Sequence, residues 1–169
     1  MAQESFEFFK KEFEFTGRHA RLASELYKDN EEDETKACFK RLIDLYILSA
    51  IVGCRAERKS PVDTSAVSPC SIFPEQMIKE KDKLDFIMQM ILMTEYIDSK
   101  TPEECVKIAF RGAQSKEQYD NYMTLFNDYA RGGLEIIYDA LVVRRPEMDE
   151  QYHNILSANI MNFMDEFCI

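Results

Sequence analysis

The chain has 169 residues, a formal net charge of −10, 46% apolar residues and only five glycines and five prolines. That apolar fraction can supply the core of one domain without disulfides or metal, and the scarcity of turn formers beside nine methionines argues against a β-sandwich. The negative field opposes nonspecific attraction to phosphate backbones and anionic membranes, which leaves nucleic-acid binding to a local basic patch.

Residues 1–15 read as an aromatic arm ahead of a single helical domain at 16–169. Alternation at Phe13, Glu14 and Phe15 fits a short extended arm or an irregular first helix. Burying a large apolar side chain is worth about 1.5–3 kcal/mol, so the arm needs a surface to dock on. Phe6, Phe8, Phe9, Phe13 and Phe15 are therefore candidate interface residues toward another chain.

A first helix from Arg18 places Ala20, Leu22, Ala23, Leu26 and Tyr27 near one stripe, and the acidic turn Asn30 to Glu34 ends it. The next segment, about residues 35–58, carries Leu42, Ile43, Leu45, Tyr46, Ile47, Leu48, Ile51 and Val52 all round a helical wheel, the pattern of a helix covered by its neighbours. Asp44 interrupts it. A buried unpaired charge is costly, so Asp44 reads as a structural polar residue paired with Lys40, Arg41, Arg18 or Arg21, or else as part of a polar interface with a partner subunit.

Residues 60–74, with Pro61, Pro69 and Pro74, form one long irregular connection. A third helix from about Pro74 to Tyr96 becomes nearly continuous in apolar residues, and FIMQMILM within it is too short to span a bilayer. Thr101, Pro102 and Glu104 form a helix start, as do Ser115 and Gln118, which open a helix with an aromatic stripe at Tyr119, Tyr122, Phe126 and Tyr129. Gly132 and Gly133 then mark a kink or, in preference, a close approach to the central helix; a phosphate-facing backbone has no glycine motif to support it. A final helix spans Asp149 to Phe167.

The sequence thus predicts an all-α, compact bundle of about six helices around a central apolar helix. Cys38, Cys54, Cys70, Cys105 and Cys168 show no CxxC pair, and His19 and His153 are the only imidazoles. Neither a disulfide framework nor a metal site is expected, and the reduced thiols fit a cytoplasmic protein. No nucleophile, paired histidine or cofactor motif stands out, so neither an enzyme nor a cofactor is expected. Arg55, Arg58 and Lys59, at i, i+3 and i+4, would share a face if the helix persists that far. They are the candidate anion or partner patch, extended by Arg18 and Arg21; their simpler role is to complement the helix dipole.

Residues 39–63 and 125–141, through Asp44, Ala50, Gly53, Arg58, Pro61, Asp63, Tyr129, Ala130, Gly132 and Gly133, resemble small helical accessory proteins of bacterial DNA phosphorothioation and related phage-defence loci. The resemblance implies a nonenzymatic component of a larger DNA-handling machine. The expected function is an interaction subunit with a protein partner or as a homo-oligomer. The alternatives are a nucleic-acid binder using the basic patch, an acidic DNA mimic built on the runs at Glu31–Glu34 and Glu147–Glu150, and an enzyme of unrecognised type.

Overall fold

The computed structural model describes residues 6–27, 38–144 and 154–167. Seven α-helices run through them: α1 (Gly17–Leu26), α2 (Leu42–Arg55), α3 (Pro74–Lys79), α4 (Lys81–Tyr96), α5 (Pro102–Arg111), α6 (Lys116–Tyr138) and α7 (Ile155–Phe167). A π-helical turn at Asp139–Val143 extends α6. Among the described residues the only sheet is a strand pair, β1 (Phe13–Phe15) and β2 (Cys70–Ile72), antiparallel with Phe13 opposite Ile72.

The central helix is α2. Leu45, Tyr46 and Ala50 are fully buried, and α2 packs chiefly along α6, with α4, α1 and β2 closing its other sides. It is shorter than the 35–58 expected. Phe39 bridges Tyr27 in parallel, and Cys38 and Phe39 N–H both donate to Leu26 O, so this backbone is engaged before Leu42. At the other end Glu57 adopts φ 52, Glu57 N–H donates to Cys54 O and Arg58 N–H to Gly53 O. These two bonds reverse the chain in the manner of a Schellman terminus, with glutamate where glycine is usual.

Contact between α2 and α6 is made backbone to backbone. A Cβ at Gly133 would lie 1.8 Å from Ser49 O, and one at Gly53 would lie 2.0 Å from Tyr129 O. Close approach, not a kink, is thus the role of Gly133, and α6 runs unbroken through both glycines. Gly132 admits the turn after α2: a Cβ there would meet Arg58 O at 2.0 Å.

The aromatic arm is part of this core. Phe9 and Phe15 are buried, as are Phe8 and Phe13, while Phe6 is half-buried against Tyr119. Phe9 meets Phe126 edge-on at 4.8 Å and Phe13 meets Tyr46 at 4.5 Å. The expectation that the arm's rings face another chain is corrected for Phe8, Phe9, Phe13 and Phe15, which are buried in this chain's own core: alternation along β1 turns Phe13 and Phe15 onto α2 and leaves Glu14 outside, bonded to Ser71. The predicted helix 74–96 is divided at Glu80, whose carboxylate takes Arg41 at 3.0 Å and Lys83 at 2.6 Å. The predicted final helix begins at Ile155, and its first residues, from Asp149 to His153, lie outside the described residues, as do both acidic runs.

Candidate functional site

The turn after α2, the start of α1 and the middle of α6 converge on one carboxylate, Glu135. Because Gly132 lets the turn lie against α6, Ser60 N–H donates to Asp128 O at 2.9 Å and Arg131 Nε donates to Ser60 O at 2.9 Å. Three residues further along the chain, Asp63 reaches α1. Its Oδ2 accepts from Arg18 N–H at 2.9 Å and its carbonyl accepts from Thr16 Oγ1 at 2.7 Å, supplying the cap that Thr16 does not provide. Gly17, at φ +55, sits where any Cβ would strike Asp63 O at 2.5 Å.

So positioned, Arg18 reaches Glu135 Oε1 at 2.7 Å and Arg58 reaches Oε2 at 3.0 Å. Ser60 Oγ donates to Oε1 at 2.7 Å and accepts from Arg18 at 2.9 Å. His19 Nε2 stands 3.0 Å from the same Oε1 and 3.2 Å from Ser60 Oγ. Burial tends to raise the Glu135 pKa, but bonds from Ser60, His19 and Arg58 outweigh it and hold the group below the ordinary glutamate range. Burial lowers the His19 pKa, against the pull of Glu135. Its Nδ1 is buried without a partner, so a second ring proton would have no acceptor. The neutral ring with its proton on Nε2 fits this environment.

Ser60, His19 and Glu135 invite comparison with a nucleophile relay, and the geometry departs from one. In such a relay the two imidazole nitrogens face different partners, the hydroxyl and the acid. Here one nitrogen faces both. The cluster ties three segments together.

The expected basic patch is redistributed, because the chain turns at Glu57 before Arg58 and Lys59 could continue the α2 face. Arg58 goes to Glu135, whereas Lys59 goes to Glu95 at 2.6 Å and lies 5.0 Å from the Tyr129 ring centroid. Arg55 and Arg21 stay exposed, and among the described residues neither makes an ion pair. Of the five cations, Arg18 and Arg58 are brought together, by an acid that the sequence reading did not single out. Asp44 is paired by Arg41, through Nε at 2.8 Å and a second nitrogen at 2.5 Å, at an exposed site. That is one of the partners expected, although the carboxylate is not buried.

A second feature lies on the packed pair α4 and α5. Phe86 is 61% exposed, Ile97 63% and Phe110 66%, with Met90 and Val106 one turn from Phe86 and Phe110. Among the described residues no group of histidine, cysteine or acidic side chains could hold a metal ion, and no helix is long and apolar enough to cross a membrane.

Compared with known proteins, residues 17–166 match the model of a family described as DNA sulphur modification system-associated protein 4. No curated protein and no solved structure matches the chain.

Proposed function

The chain belongs to the DNA sulphur modification system-associated protein 4 family, and from that premise we propose that it is a nonenzymatic, cytoplasmic interaction subunit. In this reading it docks on a protein component of the sulphur-modification assembly through the α4–α5 pair, and its part in DNA handling or phage defence is exercised through that contact. One observation carries the reading: Phe86 and Phe110 stand mostly in water while Phe9, Phe15 and Phe126 are buried. Each ring, about two-thirds exposed, forgoes about 1–2 kcal/mol that full burial would return, which favours a covering partner. The docking surface moves accordingly from the aromatic arm to the two helices.

Co-expression of the tagged chain with the other proteins of its modification locus tests this. One component should co-purify with the wild type and be lost from a Phe86→Asp, Phe110→Asp variant whose far-UV circular dichroism is unchanged. Equal recovery with both proteins, or a wild-type chain that emerges alone as a monomer by light scattering, would count against it. A wild-type homo-oligomer that the double variant abolishes would keep the surface and make its partner a second copy.

A further inference from the structure

We propose that an open pocket between the N-terminal arm and the start of α6 binds a nucleoside phosphate. The pocket holds about 340 Å³, toward the small end of ligand sites and enough for one nucleotide. None of its lining residues belongs to the Glu135 cluster or to the α4–α5 surface.

Charge is the first support. In a chain of net −10, Lys10, Lys11 and Lys116 meet at this one place. Glu7, paired with Lys10 at 2.7 Å, and Asp120 also line it, which leaves the lysines in formal excess. Lys116 is the first residue of α6, the helix end at which the dipole disfavours a cation, so helix stability does not account for its placement.

Aromatic geometry is the second. Tyr119 is partly buried against the core, and Phe8 stacks on it at 5.5 Å with the planes 9° apart, which fixes its ring. Phe6 lies 6.4 Å from it, tilted by 40°. Lys11 Nζ lies over the Tyr119 ring, 5.6 Å from its centroid, so a base stacking there would displace this flexible side chain and leave its cation at the edge of the base, in reach of a phosphate. A fixed ring with adjacent lysines is what a stacked base joined to a phosphate requires, and stacking tolerates any base. Asp120 offers an acceptor to a base amino group.

Free mononucleotides and nucleotides within a single strand share this chemistry. Calorimetric titration of the full chain at low salt with dAMP, a single-stranded oligodeoxyadenylate and inorganic phosphate separates them. Binding of dAMP, with no gain from the oligonucleotide, assigns the site to free nucleotide. Tighter binding of the oligonucleotide, weakening with salt, assigns it to a strand. In either case Lys116→Glu, an exposed change that leaves the fold intact, should lower affinity about tenfold, the size of one lost charge-assisted contact. The proposal is overturned if neither nucleotide probe binds, if inorganic phosphate binds as tightly as dAMP, or if Lys116→Glu and Lys11→Gln both bind like the wild type.

Discussion

Replacing Gly133 by alanine should weaken this protein by about 2–4 kcal/mol, the reverse of the effect of alanine in most helices. Alanine ordinarily gains about 1 kcal/mol over glycine within a helix. Here its Cβ would lie 1.8 Å from Ser49 O and 2.7 Å from Gly53 N, against an ordinary contact of 3.4 Å or more. The helices would have to part by about 1.5 Å, and overpacking costs about 1–3 kcal/mol even when flexible side chains can yield. Both obstructing atoms are backbone, so the strain lies at or above the top of that range. Parting α2 from α6 would also loosen Tyr46, Ala50, Phe126 and Ala130, all fully buried. Urea unfolding followed by far-UV circular dichroism measures the loss, and Gly53→Ala should behave alike. A Gly133→Ala protein as stable as the wild type, or more so, would refute the backbone contact between α2 and α6.

Four other outcomes are expected. Phe15→Ala should destabilise by about 3–5 kcal/mol in the same assay, because the ring is fully buried on α2; a negligible change would return the arm to a partner-facing role. Glu57→Gly should stabilise by about 1 kcal/mol, since glycine adopts φ 52 without the steric penalty, and a loss of stability would mean that the glutamate side chain contributes more than its backbone strain. Glu135→Gln should destabilise by about 1–3 kcal/mol, less than for a fully buried pair because Arg18 and Arg58 are more than half exposed; unchanged unfolding would show the cluster to be incidental. Stability should fall on acidification. With the His19 pKa lowered by burial, the unfolded chain binds the proton more readily, so the loss begins as pH falls through about 6.5, and the depressed Glu135 pKa adds a further loss below about 4.5. Melting temperatures between about pH 7.5 and pH 5.5 should show the first slope, and His19→Gln should flatten it; a flat wild-type profile contradicts the assignment.

What could be read in advance was local. Apolar residues all round Leu42–Val52 marked α2 as covered, and adjacent glycines marked a close approach that Gly133 makes. Thr101 and Ser115 accept from Glu104 and Gln118 N–H as their spacing predicts, at 3.3 and 3.2 Å. Arg41 was among the partners anticipated for Asp44. The misses share a cause, which is separation along the chain or a backbone choice without a sequence mark. Glu57 takes a left-handed turn that glycine would have signalled, so nothing in the sequence takes Arg58 and Lys59 off the α2 face. Asp63 caps α1 from 45 residues away, and His19 meets Glu135 across 116. The sequence shows Ser60 and Asp63 only as part of an irregular connection, with nothing to tie them to α1 or α6. Alternation at Phe13–Phe15 did show, but its docking surface is formed by helices that neighbouring residues do not reveal.

The borrowed cap of α1 bears on how the chain acquires its shape during synthesis. A ribosome releases α1 long before Asp63, and longer still before Glu135, so the emerging N-terminal segment has neither its terminal hydrogen-bond acceptor nor its charge partner. The main packing partner of α2 is α6, which is released later than Asp63, so neither α1 nor α2 has its full set of native contacts until most of the chain has emerged. A fragment ending before Asp63 should therefore leave its opening residues open to proteases, however strongly their pattern favours a helix.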